Sequence, residues 1–195
     1  MASIRAGEQA AWGVLISRYQ DRLFTICLRM VHNRELAADL TQDAFVKVIQ
    51  GLDKYDGRSK LSTWIIRVTM NVCLSKIRSE KLRRHASLEG MGGAFGSRGE
   101  GEARGFDPEQ VREPGGFSSV QHAEDRHRVL LALQRLDPDH RAVLILRDAR
   151  DLEYEQIAEV LGVAVGTVKS RLFRAREALR DEVEKLSEGR TTAGD

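Results

Sequence analysis

Apolar residues recur every three or four positions in two segments near the start of the chain, which is the spacing of one helix face. The first segment begins at Trp12 and ends at Met30. The second follows Asn33, whose side chain is suited to capping a helix start. Its inner stripe consists of Leu36, Ala37, Leu40, Ala44, Phe45, Val48, Ile49 and Leu52. Both segments are predicted to be amphipathic helices.

The polar segment from Asp53 to Lys60 (DKYDGRSK) interrupts this pattern. A third helix is predicted from Leu61 towards Arg84, which completes a three-helix domain. Between Gly90 and Gly116 lie nine of the 17 glycines and two of the three prolines, without any apolar periodicity. This composition indicates a flexible tether.

Helical periodicity resumes near Gln121, and Pro138 is expected to open the next helix. An apolar pattern over 154–161, a break at Gly162 and a long stripe over 165–186 then predict a helix-turn-helix. Glycine permits the turn, and Val168 with Leu172 is expected to pack the second helix against the first.

The predicted fold is therefore all-α, with two small helical domains joined by a flexible linker. We expect a first domain over 8–84, a linker over 85–124, a second domain over 125–186 and a disordered tail over 187–195.

Composition adds few constraints. The 195 residues carry a net charge of only +2, so the positions of the charges matter more than their sum. The two cysteines, Cys27 and Cys73, lack metal-ligand or disulfide-framework spacing, which favours a reducing cytoplasm. No apolar run is long enough to cross a membrane, so we expect no membrane insertion.

The second helix of the predicted helix-turn-helix is strongly basic. One acid, Glu177, stands among Lys169, Arg171, Arg174, Arg176 and Arg180. Basic stretches are often ordinary solvated helix faces, but a preceding helix and turn favour insertion into the DNA major groove. Lys169, Ser170 and Arg174 are expected to meet base edges, with the other arginines on phosphates.

The third helix is also basic, with Glu80 the only acid among Lys60, Arg67, Lys76, Arg78, Lys81, Arg83 and Arg84. Ser62, Thr63, Thr69, Asn71 and Ser75 are interleaved. Amide, hydroxyl and cationic groups on one helix suit single-stranded DNA. Trp64 fits either base stacking or, as we favour, core packing.

The second helix has the opposite polarity, with Glu35, Asp39 and Asp43 spaced four apart. A docking face for a basic partner is favoured over acid–base or metal chemistry, because no suitably spaced histidine accompanies the acids. Taken alone, this helix would fit an ordinary solvated face equally well. The sequence contains no nucleophile motif. Its glycine-rich segment follows no predicted strand, so it does not fit a phosphate-binding loop. We therefore expect no enzyme activity and no cofactor.

Three segments, Asp39–Val48, Tyr55–Asn71 and Leu152–Leu179, resemble bacterial extracytoplasmic-function (ECF) sigma factors of the sigma-70 family. The resemblance covers sigma region 2 at roughly 8–84 and sigma region 4 at roughly 125–186. It implies a monomer when free that guides core RNA polymerase to promoters and melts the DNA, with an anti-sigma factor as a further partner. The polymerase contacts implied are the beta-prime coiled coil and the beta flap.

The resemblance also implies roles for individual residues. Docking on the beta-prime coiled coil falls to Asp39, Leu40, Gln42 and Asp43. One base of the minus-ten DNA is expected to flip into the loop before the third helix. Contacts with this DNA are assigned to Tyr55, Gly57, Arg58, Ser59, Lys60, Ser62, Trp64, Arg67, Asn71, Lys76 and Arg78. Duplex minus-thirty-five DNA falls to Arg147, Thr167, Lys169, Ser170, Arg171, Phe173, Arg174 and Arg176. Phe173 fits a thymine contact or the core equally well.

Two positions depart from the family pattern. Glu153 stands where a capping serine is usual, and Ala164 where proline is usual, so softer helix starts are expected. A stand-alone helix-turn-helix regulator that binds duplex DNA without polymerase is the alternative function. The absence of a doubly wound receiver pattern in the first domain disfavours it.

Overall fold

The computed structural model describes residues 9–90, 118–148, 150 and 152–191, and within these ranges all regular structure is helical. This confirms the all-α prediction. Contacts divide the chain into two units, Met1–Arg104 and Gly105–Asp195. The part of the predicted linker over 91–117 and the end of the tail over 192–195 lie outside the described residues.

The first unit contains α1 (Gln9–Val31), α2 (Arg34–Gly51), a short 3-10 turn (Leu52–Lys54) and α3 (Leu61–Gly90). Every pair of these three helices is in contact. The core between them contains Leu15, Leu23, Phe45, Val48, Leu52 and Ile65. Burial of each large aliphatic side chain contributes roughly 1.5–3 kcal/mol, so this core supplies most of the driving force for the bundle.

The corner between α1 and α2 follows the sequence prediction. His32 adopts φ +53, the left-handed conformation that ends a helix, and its N–H donates to the Leu28 carbonyl at 2.8 Å. The Asn33 side chain accepts the Leu36 N–H at 2.8 Å, which confirms it as the cap of α2. Ile49 was predicted to face inward, but its side chain is 42% exposed because it lies at the edge of the α2 stripe.

The second unit contains α4 (Ser118–Arg135), α5 (Pro138–Asp148), α6 (Tyr154–Leu161) and α7 (Val165–Thr191). The long α7 packs against each of the other three. A buried arginine, Arg141, joins α4 to α5: its guanidinium donates to the carbonyls of Leu133, Gln134 and Leu136 at 2.8, 2.6 and 3.1 Å. Leu133 and Gln134 lie in the last turn of α4 and Leu136 follows it directly, where carbonyls lack the N–H groups of a further helical turn.

The helix-turn-helix forms as predicted. Gly162 ends α6 with φ +66, and the Val163 N–H donates back to the Ala158 carbonyl at 3.1 Å, the long-range bond of a Schellman turn. Val168 and Leu172 of α7 are buried. The angle between α6 and α7 is therefore set by a glycine turn and two apolar contacts.

Three helices extend further than the sequence indicated. α3 continues beyond Arg84 to Gly90, and α4 begins at Ser118 rather than near Gln121. α7 continues through the predicted tail to Thr191, with the Ser187 hydroxyl bonded to the Val183 carbonyl at 2.9 Å. Apolar periodicity does not mark these helix ends, because polar residues also form helix.

Candidate nucleic-acid interface and docking face

The outward side of α2 is acidic and continuous. Asp39, Gln42 and Asp43 are all exposed, as is Glu35 one turn earlier. At 3.6 residues per turn these four side chains fall within an arc of about 100°. Leu40 was assigned to the same docking surface, but it is only 3% exposed because it belongs to the inner stripe. That assignment is corrected: Leu40 packs inside the bundle.

Two apolar side chains extend this surface and were missed by the sequence reasoning. Val46 is 49% exposed and lies within the arc of the acids, and Ile49 is 42% exposed and lies about 20° beyond Gln42, at the edge of that arc. The spacing of Val46 from Gln42 and Asp43 was visible in the sequence, but only the structure shows that Ile49 faces out. We call Asp39, Gln42, Asp43, Val46 and Ile49 the α2 docking face.

The loop between α2 and α3 is held by local bonds. The Tyr55 N–H donates to the Leu52 carbonyl at 3.1 Å, and the Tyr55 hydroxyl donates to the Ser59 carbonyl. The Asp56 carboxylate accepts the Arg58 N–H at 3.1 Å, and Gly57 takes φ +76. A left-handed glycine inside an Asx turn fixes a tight bend. The loop is therefore shaped before any ligand arrives.

Trp64 lies against this loop and against the core. Its ring is 5.3 Å from the Tyr55 ring at 47°, and a side chain at Gly51 would come within 3.3 Å of it. Trp64 is partly buried and packs on the core cluster, in agreement with the favoured core interpretation. The two rings form one aromatic wall where the loop meets α3.

The α3 residues assigned to single-stranded DNA differ in how exposed they are. Asn71 and Arg78 are exposed, and Ser62 and Arg67 are half-buried. Lys76 is paired with Glu80 at 3.4 Å. Thr63 and Thr69 were expected on this polar surface but are buried, and the Thr69 hydroxyl donates to the Ile65 carbonyl at 3.0 Å. A threonine bonded to its own helix is compatible with a core position, which the sequence pattern does not reveal.

The outward side of α7 brings together the residues expected to read duplex DNA. Lys169, Ser170 and Arg174 are exposed, and Phe173 is 65% exposed. Phe173 therefore belongs to the surface and not to the core, which decides the alternative left open by the sequence. Thr167 is half-buried, and its carbonyl accepts the Ser170 hydroxyl at 3.1 Å. These side chains form a polar and aromatic surface on the first turns of the helix.

Two arginines of α7 assigned to the same DNA surface form ion pairs within the protein. Arg171 pairs with Asp139 at 3.7 Å, and Arg176 pairs with Asp148 at 2.7 Å, which raises the pKa of the Arg176 guanidinium. Asp139 and Asp148 stand at opposite ends of α5. These two pairs therefore clamp α7 along α5 and leave Arg171 and Arg176 less able to reach phosphates than the sequence suggested.

Arg147 and Tyr154 form a junction that the sequence did not reveal. Arg147 donates to the Leu152 carbonyl at 2.9 Å, pairs with Glu153 at 3.5 Å, and lies 5.1 Å from the centre of the Tyr154 ring. Lys169 of α7 lies 5.8 Å from the same ring. Cations near an aromatic face are attracted to it. Tyr154 thus connects the start of α6 to Arg147 and Lys169, two of the residues expected to contact duplex DNA.

The start of α6 is better capped than expected. The Gln156 side chain accepts the Glu153 N–H at 3.0 Å, which is half of a capping box. The Ala164 carbonyl accepts the Val168 N–H at 3.1 Å, so alanine also begins α7 without a break. Both departures from the family pattern are accommodated.

Among the described side chains no three histidine, cysteine or acidic groups come together as a metal site would need.

Two sequence families match the chain in the order of its two units. Residues 15–83 match sigma-70 region 2, and residues 126–179 match sigma-70 region 4. These matches and the all-helical fold therefore define a transcription initiation factor of the sigma-70 class. Within that class, the chain belongs to the ECF RNA polymerase sigma factors.

Individual relatives cover almost the whole chain. SigW, the ECF RNA polymerase sigma factor of Bacillus subtilis (strain 168), is 30% identical over 185 residues, which is 94% of each chain. The ECF RNA polymerase sigma-E factor of Escherichia coli (strain K12) is 28% identical over 190 residues, 94% of this chain and 92% of the relative. Both units and their order are thus shared with whole sigma factors.

Solved structures show the same fold. The sigma factor RpoE from Bartonella quintana, in complex with the anti-sigma factor NepR, superposes with a TM-score of 0.62 at 24% identity, covering 89% of this chain and 97% of that one. CnrH in complex with the cytosolic domain of CnrY gives a TM-score of 0.62 at 21% identity, covering 94% of each chain. No helix in the described part of the chain is long and apolar enough to cross a membrane.

Proposed function

We propose that this ECF sigma factor docks core RNA polymerase through the α2 docking face, captures melted minus-ten DNA with the α2–α3 loop and α3, and reads duplex minus-thirty-five DNA with α7. The observation that carries the proposal is the α2 docking face, which stands on the same unit as a preformed loop with an aromatic wall. A stand-alone DNA-binding regulator has no use for such a pair of surfaces.

The α2 docking face suits a basic helical partner with an apolar centre. Asp39 and Asp43 supply charge for steering and register, while Val46 and Ile49 supply apolar area that gains free energy when water is removed. Exposed apolar side chains beside acids on one helix favour a protein partner over plain solvent. We assign that partner as the beta-prime coiled coil of core polymerase, and contact with the beta flap to the second unit.

The α2–α3 loop suits a flipped base. Tyr55 and Trp64 provide aromatic surface, and exposed Asn71 offers both donors and an acceptor for a base edge. The backbone of the loop is already held by the Asx turn and by Gly57, so little ordering entropy remains to be lost on binding. Gly57, Arg58, Ser59 and Lys60 lie in this loop and Ser62 at the start of α3. Together with Arg67, Lys76 and Arg78 further along α3, they stay assigned to minus-ten DNA.

The α7 surface suits the major groove. Arg174 has the length and geometry to bond a guanine edge, Lys169 and Ser170 reach neighbouring bases or phosphates, and Phe173 offers apolar contact to a thymine methyl. Thr167 adds a hydroxyl at the start of the helix. Arg147, Arg171 and Arg176 act mainly by holding the helix in position, because each is bonded inside the unit.

Two weak DNA contacts on separate units become strong only when polymerase holds both in register. The free chain is therefore expected to bind promoter DNA poorly, as a monomer. Because core polymerase acts on the chromosome, the proposal places the working factor in the cytoplasm. The complexes of RpoE with NepR and of CnrH with CnrY support an anti-sigma factor as a further partner.

The docking step is tested by measuring the affinity of the fluorescently labelled chain for purified core polymerase. Asp43→Arg is expected to weaken binding at least tenfold, because it places a cation against a basic partner. Asp21→Arg makes the same charge change on the exposed side of α1 and is expected to leave binding within twofold. Equal affinity for both variants, or a chain that never binds core polymerase yet shifts duplex DNA alone, would favour the stand-alone regulator.

A further inference from the structure

Two cysteines separated by 46 positions in sequence meet in the core of the first unit. The thiol of Cys73 on α3 donates to the sulfur of Cys27 on α1, with 3.6 Å between the two sulfur atoms. Both are free thiols, and both side chains are fully buried. Neither docking on polymerase nor DNA reading uses this pair.

The pair is chemically asymmetric. Donation from the Cys73 thiol lowers the pKa of Cys27, against the opposing effect of burial, and the Thr41 hydroxyl lowers it further. The same hydrogen bond and burial raise the pKa of Cys73. Cys27 is therefore the sulfur that loses its proton first, and the thiolate is the reactive form of cysteine.

The geometry is close to that of a cross-link. A disulfide has a sulfur–sulfur distance of about 2.05 Å, so the present 3.6 Å has to shorten by about 1.5 Å. Small rotations of two side chains on neighbouring helices supply a movement of this size. The two helices are already packed against each other, with the two sulfur atoms in contact between them.

We propose that Cys27 and Cys73 form a reversible intramolecular disulfide when the chain meets a hydroperoxide. The Cys27 sulfur attacks one peroxide oxygen, the O–O bond breaks, and the thiol proton leaves with the departing oxygen as water. The Cys73 sulfur then attacks the resulting sulfenic acid, the S–O bond breaks, and a second water forms with the Cys73 proton. Two thiols have lost two electrons and two protons, and hydrogen peroxide has become two waters.

The burial of the pair sets the rate and the consequence. Peroxide reaches the sulfurs through local openings between α1 and α3, so oxidation is slower than that of an exposed thiol. The cross-link closes a loop that contains all of α2 and thereby restricts the unfolded chain. The oxidised unit is therefore the same helical bundle with one covalent cross-link, and it is more resistant to unfolding.

The test treats the full reduced chain with hydrogen peroxide for an hour, then denatures it, alkylates the remaining thiols and measures the mass. The expected product is a monomer two hydrogens lighter, without alkyl label, that regains two labels after reduction. Its Tm is expected to rise by about 5 °C or more. Dimedone should trap a sulfenic acid on Cys27 in the Cys73→Ser variant, where the serine hydroxyl replaces the donor.

Three results would overturn the proposal, and none depends on whether the chain binds polymerase or DNA. The first is two intact thiols after the hour. The second is a sulfinic acid or an intermolecular dimer in place of the monomeric disulfide. The third is an oxidised chain that melts at a lower temperature than the reduced chain. Because the wild-type mass decides the first two, a serine variant that fails to fold does not remove the test.

Discussion

Replacing Arg141 with methionine removes the buried link between α4 and α5 while keeping an unbranched side chain of similar length. Arg141 is 8% exposed and donates to three carbonyls at 2.6–3.1 Å. Burial lowers the pKa of its guanidinium because removal of water disfavours the charged form, and the nearby Asp137 carboxylate acts in the opposite direction. Without the guanidinium the three carbonyls lose a charged donor, which costs about 1–3 kcal/mol for each carbonyl that stays buried and unpaired.

The lower end of this range, about 1 kcal/mol for each of the three carbonyls, applies here, because they lie at the end of a helix and water regains access to some of them. With an m-value of about 2 kcal/mol/M in urea, a loss of about 3 kcal/mol moves the unfolding midpoint of the second unit by about 1.5 M. Arg180→Met, on the exposed side of α7, is the matched control and is expected to change stability by less than about 0.5 kcal/mol.

The chain carries its own internal reference for this measurement. Both tryptophans, Trp12 and Trp64, lie in the first unit, so their fluorescence follows that unit alone. Circular dichroism at 222 nm follows helices in both units. Arg141→Met should lower the urea midpoint of the second unit, which is seen by dichroism alone, and should leave the fluorescence-detected midpoint of the first unit unchanged. A midpoint unchanged in dichroism, or an equal shift in fluorescence, would refute the structural role given to Arg141.

Three further substitutions test separate parts of the account. Arg174→Ala should weaken polymerase-dependent binding of minus-thirty-five duplex about tenfold or more in a gel-shift titration, with Arg18→Ala on the exposed side of α1 as the control; equal losses would contradict a role in base reading. Gly57→Ala should slow promoter opening, measured by permanganate footprinting, because a side chain at φ +76 adds about 1 kcal/mol of backbone strain to the loop. Opening at an unchanged rate would mean that the loop has no role in DNA melting. Asn33→Ala should lower the stability of the first unit by about 1 kcal/mol in a fluorescence-detected urea titration, and no change would mean that the cap is made by water instead.

The helical fold was predictable because its determinants are local. Asn33, Pro138 and Gly162 each mark a helix boundary by backbone chemistry that does not depend on the rest of the chain. Helix ends were less predictable, since α3 and α7 continue where no apolar stripe requires them.

The site was predictable in outline and not in detail. Charge signs along α2 and α7 indicated the two surfaces, but burial of Leu40 and exposure of Ile49 depend on how α2 is rotated against its neighbours. The ion pairs of Arg171 and Arg176 join residues far apart in sequence. The contact between Cys27 and Cys73 is also long-range, and no spacing rule in a single sequence reveals it.

The central claim is that one chain supplies a polymerase docking face and two promoter-reading surfaces. Run-off transcription with core polymerase, a library of promoter fragments and purified protein tests it most directly, with the double variant Asp39→Arg/Asp43→Arg beside wild type and Asp21→Arg. Promoter-specific transcripts are expected with wild type and Asp21→Arg, and none with the double variant. Transcripts that persist with the double variant, or that never depend on this chain, would contradict it.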